Sequence, residues 1–132
     1  MEFRVKKHSR EEFLPTYIKW LDNHKFANNC ASITPETFLV AYNGELPIYA
    51  VPFWNTDSGI CIIAFIVSNK SINYKKRIGG LDFLIEKTIE HAKMNKYRCI
   101  YTSTTTDSII TSLKNNGFVN GDLDSSQFFF NI

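Results

Sequence analysis

The chain has 132 residues, a formal net charge of +2 and a hydrophobic fraction of 44%. This length and apolar content suit one packed core, so they exclude an intrinsically disordered chain and predict a single domain over residues 1–132. The small positive charge argues against nucleic acid as a partner, because dedicated nucleic-acid-binding domains carry a stronger basic excess.

Two features argue against a membrane or secreted protein. The longest apolar run, Ile60–Val67, is far shorter than the ~20 residues that a membrane-spanning helix needs. The first residues, Met1–Val5, are not followed by the apolar core of a signal peptide. We therefore expect a cytoplasmic protein with no membrane partner.

The three cysteines, Cys30, Cys61 and Cys99, are scattered along the chain. They form no CxxC pair, and the three histidines do not cluster near them, which argues against a disulfide framework and against a zinc site. Cys61 and Cys99 lie in apolar runs typical of strands, so we expect buried, reduced thiols and no metal.

The chain opens with a predicted strand and helix. Residues Glu2–Lys7 alternate apolar and charged side chains, which is the period of a half-buried strand. Ser9 and Glu12 have the spacing of a capping box, and an apolar stripe at helical spacing follows them. Pro15 leaves two alternatives: a separate first turn from Arg10, or a regular helix that begins at Pro15.

A hairpin is predicted after the polar, loop-like segment Asn28–Pro35. The strand Phe38–Tyr42 leads into Asn43-Gly44, the strongest short hairpin signal because both residues tolerate a positive φ. The returning strand is Leu46–Trp54. It contains two prolines, which cannot donate to a ladder, so we expect an edge or interrupted strand.

The middle of the chain predicts a strand, a helix and a strand. Ile60–Val67 is apolar throughout, as in a strand covered on both faces. After the polar stretch Ser68–Lys76 comes an amphipathic helix that follows Ile78–Gly80 and has its apolar face from Leu81 to Ala92. Tyr97–Ser103 is rich in β-branched and aromatic residues, which favours a strand.

The last elements are a short helix and a strand. Asp107 or Ser108 can cap the helix, which ends at Asn116-Gly117, and Gln127–Ile132 predicts the final strand after an Asn120-Gly121 turn. Three consecutive strands in the middle of the chain require antiparallel pairing, so a Rossmann alternation is excluded. The sequence predicts an α/β (α+β mixed-sheet) fold with helices on both faces.

A basic, glycine-bearing loop opens the second long helix. Lys75, Lys76 and Arg77 supply positive charge, and Gly79 and Gly80 allow close approach to the main chain. Free amides and the positive end of a helix dipole favour an anion such as a pyrophosphate. The alternative is a tight turn beside a solvated basic surface.

The order of strand, basic glycine loop, helix, strand, short helix and Asn-Gly-Phe resembles the core of the Gcn5-related N-acetyltransferases. Their strand ending in Val and their Tyr-Arg-Gly-Lys-Gly-Ile-Gly loop are similar to Val67 and the segment Tyr74–Gly80. Their Lys-x-x-Gly-Phe is similar to Lys114–Phe118. The resemblance spans nearly the whole chain, in layout more than in invariant residues.

The resemblance implies a central mixed, mostly antiparallel sheet flanked by helices, with acetyl-CoA as co-substrate in a splay between Ile60–Val67 and Tyr97–Ser103. The backbone groups of Phe65, Ile66 and Val67 would pair with the pantetheine arm. An amine acceptor would attack the thioester directly. The implied pyrophosphate ligands are the residues of the basic loop: Lys75, Lys76, Arg77, Ile78, Gly79 and Gly80.

This chain departs from the family pattern at three places. Ile78 replaces a loop glycine, and its Cβ is expected to obstruct one phosphate contact. Leu113 stands where many members have a tyrosine that protonates the leaving thiolate. An asparagine common at the end of the preceding strand is replaced within Thr104–Thr106.

Tyr101 and Ser103 are the candidate proton donors, because they lie near the end of the second splayed strand. Tyr101 also fits a core or sheet-face aromatic. His8, Glu45 and Asp57 are the remaining candidates for a base, but all three also fit solvated surface positions.

Two functions therefore stay open. The first is an acetyl-CoA-dependent N-acetyltransferase acting on an amine of a small molecule or protein. The second is a catalytically inactive binding or assembly protein on the same fold, with a homodimer or another protein as its partner. Asn/Lys/Ile-rich chains of this length resemble divergent acetyltransferase-like proteins of tailed bacteriophages, including virion-assembly proteins.

Overall fold

The computed structural model of the protein describes residues 2–25, 33–121 and 127–132. Most of the predicted Asn28–Pro35 loop, together with Cys30, lies outside these residues. The strands are β1 (Phe3–Ser9), β2 (Thr37–Asn43), β3 (Leu46–Trp54), β4 (Ile60–Ile63), β5 (Val67–Ser68), β6 (Cys99–Ser103), β7 (Val119–Asn120) and β8 (Gln127–Asn131). The helices are α1 (Arg10–Asn23), α2 (Tyr74–Arg77), α3 (Gly80–Met94) and α4 (Asp107–Asn115).

The described strands form one sheet in the order β1-β2-β3-β4-β6-β8-β7, and β5 pairs with β3 beside that path. The β4–β6 pair is parallel, and the other pairs are antiparallel. The predicted α/β architecture, a mixed and mostly antiparallel sheet flanked by helices, is confirmed.

Two apolar clusters lie on opposite faces of this sheet. Phe38 and Val40 of β2 pack under α1, whereas Leu39 and Ala41 of the same strand pack under α3. This alternation is the period of two that a strand imposes on its side chains. The cluster under α3 also includes Leu113 of α4, so α3 and α4 share one face and α1 covers part of the other.

The capping box of α1 is confirmed, but both alternatives for its start are wrong. The Ser9 hydroxyl accepts a hydrogen bond from the Glu12 amide at 3.2 Å, and the Glu12 carboxylate accepts one from the Ser9 amide at 3.1 Å. The helix begins at Arg10 and continues through Pro15 without a break. Pro15 is exposed, so water can solvate the carbonyl that lacks its usual donor.

The expectation that β3 is an edge or interrupted strand is wrong. It runs unbroken over nine residues, with β2 on one side and β4 and β5 on the other. Pro47 lies beside a register shift against β2. Pro52 lies between the residues that pair with β4 and those that pair with β5. The sheet therefore places both prolines where its ladders are locally irregular.

The expectation of one strand over Ile60–Val67, covered on both faces, is also wrong. The segment divides into β4 and β5, and Ile60 and Phe65 are 42% and 48% exposed. The one-turn helix α2 was not predicted either, because it begins inside the polar stretch Ser68–Lys76, where Asn73 caps it by accepting from the Lys75 amide.

Cys61 and Cys99 are free thiols, as predicted. Cys61 is fully buried, and burial raises the pKa of its thiol to about 12, which makes it a poor nucleophile. Cys99 is only half-buried, because β6 exposes one face there. In the part of the chain that the structure describes, no group of His, Cys, Asp and Glu could hold a metal ion, and no helix could cross a membrane.

His91 of α3 makes the stability of the protein depend on pH. Its ring packs edge-on against Phe53 with centroids 4.8 Å apart. Burial lowers the pKa of His91, and the nearby Lys7 charge lowers this pKa further. The unfolded chain therefore takes up a proton more readily, so stability falls as the pH drops below about 6.5. We expect a lower Tm at pH 5.5 than at pH 7.5, with a smaller difference in His91→Gln; an equal difference in both proteins would contradict this assignment.

Candidate active site

Strands β4 and β6 diverge partway along their length. They pair in parallel at Ile60–Cys99, Cys61–Ile100 and Ile62–Tyr101, and no pair follows among the described residues. Beyond this point β6 keeps its pairing with β8 as far as Ser103, while β5 pairs with β3. The backbone edges that face each other across the gap thus have no strand partner in the described structure. They can pair with an extended ligand that carries amides.

A bulge at Phe65 separates β4 from β5. Phe53 pairs with Ile63 and Ala50 pairs with Val67, so the β4–β5 segment advances four residues while β3 advances three. Phe65 has a φ of +55°, in the left-handed region that is uncommon for an aromatic residue. Strain of this kind persists only where the surroundings enforce it, and it is often found at functional sites.

Tyr17 of α1 holds this bulge. Its ring is fully buried, and its hydroxyl donates a hydrogen bond of 2.7 Å to the carbonyl oxygen of Phe65. The bond fixes the orientation of the peptide group that follows Phe65. The amides at the bulge are thereby held next to the point where β4 and β6 separate.

A cleft of about 140 Å³ lies beside β5, beyond the bulge. Its walls come from β3, β5, the end of α1 and the starts of α3 and α4. They combine apolar surface with hydroxyl and imidazole groups. The lining residues are His24, Tyr49, Ile66, Val67, Ser68, Leu81, Thr106, Ser108 and Ile109.

The start of α3 forms one end of the cleft. Gly79 is its N-cap, with a φ of +84° and no side-chain capping bond, so the first amides of the helix are left for a ligand or water. Gly80 is buried, and a side chain is excluded there for a different reason. A Cβ at this position would lie 2.4 Å from Cδ1 of Ile48. Gly80 therefore lets α3 approach β3 closely.

The cationic loop lies next to this helix start. Lys75 and Lys76 are exposed, and Asn43 donates a hydrogen bond of 2.9 Å to the Lys76 carbonyl. The Arg77 Nε donates to the Ile72 carbonyl at 3.0 Å. Burial raises the pKa of Tyr49, and the adjacent Arg77 charge opposes that shift, so the guanidinium lies beside a tyrosine that lines the cleft.

No protein-family model and no curated protein sequence matches this chain. Solved structures match it over almost its whole length. Ard1 from Thermoplasma volcanium superposes with a TM-score of 0.70 at 13% identity, covering 100% of this chain and 99% of that chain. The chain has the fold of the Gcn5-related N-acetyltransferases.

Two further structures share this acetyltransferase fold. The ribosomal-protein-S18-alanine N-acetyltransferase from Escherichia coli has a TM-score of 0.70 at 11% identity, covering 97% of this chain and 90% of that chain. The PaiA N-acetyltransferase from Thermoplasma acidophilum, solved in complex with coenzyme A, has a TM-score of 0.64 at 16% identity, with 98% and 97% covered.

Two of the three departures from the acetyltransferase pattern, Ile78 and Leu113, have different structural consequences. Ile78 is 50% exposed and is not among the residues that line the cleft. Leu113 is fully buried among apolar side chains between α3 and α4. The side chain at position 113 therefore carries no hydroxyl that faces the cleft.

Tyr101 and Ser103 lie on β6 beside the gap but do not line the cleft. Tyr101 is half-buried and pairs with Ile62 at the last rung before the strands diverge. Ser103 is exposed at the end of β6. His8 has a structural role, since its Nε2 lies 2.8 Å from the Tyr42 hydroxyl. Glu45 and Asp57 are exposed, as the solvated-surface alternative predicted.

The polar groups of the cleft are not predictable from the sequence in the way that the basic loop is. His24, at the C-cap of α1, has its Nε2 3.0 Å from both the carbonyl oxygen and the hydroxyl of Ser68. Nothing in the sequence around His24 indicates this long-range contact. Tyr17 carried a usable signal, because a tyrosine within a buried helical stripe needs a partner for its hydroxyl.

Proposed function

We propose that this protein is an acyl-CoA-dependent N-acyltransferase that uses acetyl-CoA, acting as one cytoplasmic domain of 132 residues. The observation that carries the proposal is the gap between β5 and β6, which opens at the Tyr17-held bulge and ends at the uncapped start of α3. An extended ligand with amides at one end and phosphates at the other fits this arrangement.

The pantetheine arm lies along β5 in this proposal and hydrogen-bonds the backbone groups of Phe65, Ile66 and Val67. The diphosphate lies at the first amides of α3, where the helix dipole and the loop cations attract it. The glycines permit this for separate reasons: Gly79 adopts the positive φ of the cap, and Gly80 lets the helix dock on β3. The proposed diphosphate ligands are Lys75, Lys76, Arg77, Ile78, Gly79 and Gly80.

The reaction is a direct transfer. A neutral primary amine attacks the thioester carbonyl, whose oxygen is polarised by a main-chain amide at the bulge. The new C–N bond forms, the C–S bond breaks, and the electron pair leaves with the sulfur. One proton passes from the amine nitrogen to the departing thiolate, giving the amide and free coenzyme A. No oxidant or further co-reactant is needed.

Among the residues that the structure describes, two places can relay that proton. Tyr101 is at the apex of the gap, with Ser103 two residues further along the same strand. The His24–Ser68 pair lies in the cleft at the side of β5. We propose Tyr101 as the donor to the thiolate, because it is level with the bulge end of the gap, where the thioester lies.

The buried Leu113 favours a second candidate function, a non-catalytic binding or assembly protein that keeps the cleft but lacks the proton donor. In that case acetyl-CoA binds without transfer, or a protein partner occupies the surface. A virion-assembly protein of a tailed bacteriophage, which a chain of this length and composition resembles, is one example of such a role.

The test is thermal unfolding with acetyl-CoA. A ligand at ~100 times its Kd stabilises a protein by about 2.7 kcal/mol, enough to raise Tm by several degrees at this size. We expect this rise, and we expect Lys76→Glu to reduce it while Lys6→Glu, the same charge change at an exposed site on β1, leaves it intact. An unchanged Tm at millimolar acetyl-CoA would reject the transferase. Stabilisation without coenzyme A release on any amine would favour the binding protein.

A further inference from the structure

An apolar shelf lies on the sheet face opposite α3, beside the Phe65 bulge. Trp54, Ile62 and Tyr101 are in register across three neighbouring strands, so their side chains form one row. Ile60 lies on the same face of β4, two residues before Ile62. The Phe65 ring packs edge-on against Trp54 with centroids 6.3 Å apart. We define these five residues as the shelf.

The shelf remains open in the described structure. α1 packs over β2, β3 and β5 through Phe38, Val40, Ala50 and Val67, and none of the five shelf residues belongs to that cluster. Ile60 and Phe65 are 42% and 48% exposed, and the other three side chains are half-buried. The opposite face of the same strands is closed, because Cys61, Ile63 and Ile100 are fully buried under α3 and α4.

We infer that the shelf binds the acceptor and that the acceptor is a primary amine on an uncharged, apolar body such as an aromatic ring. This inference rests on the proposed function for the position of the thioester. With the acyl-CoA in the gap and its carbonyl at the bulge, the closed face blocks approach from the side of α3. An amine must therefore come from the face that carries the shelf.

The chemistry of the shelf selects this class of amine. Its five side chains bear no charge, and aromatic rings attract flat apolar groups through stacked or edge-to-face contacts. A second charged group on the acceptor would lose its water there without gaining a partner. An apolar surrounding also disfavours the ammonium form, so it favours the neutral amine that attacks. This is consistent with a cleft whose described lining contains no carboxylate.

The experiment measures binding by tryptophan fluorescence, with and without coenzyme A. Trp20 is only 3% exposed, so a ligand on the shelf should change the emission of Trp54. The probes are 2-phenylethylamine and 4-(2-aminoethyl)benzoate, which share ring and amine but differ by one carboxylate. We expect a saturable change with at least tenfold tighter binding of 2-phenylethylamine, and no such change in Trp54→Phe.

Two lysine variants test whether the acceptor binds at the shelf. Ile60→Lys puts a charge on the shelf, and Met94→Lys puts one on an apolar side chain that is 81% exposed at the end of α3. Both sites are solvent-accessible, so both proteins should fold. We expect Ile60→Lys to weaken the binding of 2-phenylethylamine tenfold or more, and Met94→Lys to leave this binding unchanged.

Several results would overturn the inference. These are no saturable signal, equal binding of the two probes, or equal binding by Ile60→Lys and the unaltered protein. A dimer on size-exclusion chromatography that Ile60→Lys dissociates would instead assign the shelf to a second copy of the chain. The proposed function fails separately: a protein that binds 2-phenylethylamine on the shelf but is not stabilised by acetyl-CoA retains the acceptor site without the transferase.

Discussion

Tyr17→Phe is expected to lower the free energy of unfolding by about 0.5–1.5 kcal/mol, because it removes the hydrogen bond to the part-buried Phe65 carbonyl. The ring itself remains, so the apolar packing of α1 on β2 is preserved. The larger effect is on transfer. Once the peptide group after Phe65 can rotate, the amides at the bulge no longer point at one position in the gap, and we expect kcat to fall at least tenfold.

Tyr42→Phe is the matched control for this prediction. It removes a tyrosine hydroxyl that is 2.8 Å from Nε2 of His8, away from the cleft. Chemical denaturation measures stability, and release of coenzyme A measures transfer. If Tyr17→Phe and Tyr42→Phe lose the same fraction of transfer activity, the bulge does not orient the reaction.

Gly80→Ala is expected to destabilise the protein by about 1–3 kcal/mol, although alanine normally favours a helix over glycine. The added Cβ would lie 2.4 Å from Cδ1 of Ile48 and 3.4 Å from the Tyr49 ring. Ile48 is fully buried, so its side chain has little room to rotate away. The start of α3 must shift instead, and we expect the stabilisation by acetyl-CoA to decrease with it.

A double substitution identifies the cause. Ile48→Val removes the atom that the new Cβ would meet, so Gly80→Ala should cost less in that background than alone. Gly59→Ala is the control, because a Cβ there would make only an ordinary contact of 3.6 Å with Arg98. Additive losses in the double variant, measured by denaturation, would show that Ile48 is not the obstacle.

The local elements of the fold could be predicted from the sequence because each has a local cause. The Ser9–Glu12 capping box starts α1, and Gly44 takes a φ of +60° in the hairpin between β2 and β3. The amphipathic stripe from Leu81 to Ala92 places α3 on the sheet. In each case the residues that decide the structure are a few positions apart.

The break between β4 and β5 could not be predicted, because its cause is distant in the chain. Ile60–Val67 is uniformly apolar and reads as one strand, yet the register against β3 and the hydroxyl of Tyr17, 48 residues before Phe65, fix the bulge. The expectation that the prolines make β3 an edge or interrupted strand was wrong for the same reason. Whether the missing N–H donor of a proline interrupts the strand depends on how the neighbouring strands pair opposite Pro47 and Pro52.

The candidate site was predicted in part. The position of the basic loop beside the start of α3 follows from the order of residues, and the structure has the gap that the acetyltransferase resemblance implies. The sequence does not predict why a glycine is needed at position 80 or that His24 lies in the cleft. Both depend on contacts between elements that are far apart in sequence. The roles of Tyr101 and Ser103 stay predictions.

Hydrogen–deuterium exchange with and without acetyl-CoA shows whether the start of α3 and the edge of β5 that faces the gap, which has no strand partner in the described structure, bind one ligand together. We predict slower exchange at the amides of Phe65–Ser68 and of Gly80–Asp82 when acetyl-CoA is present, with the strands β1 and β2 unchanged. Unaltered exchange in both segments at saturating acetyl-CoA would contradict the account.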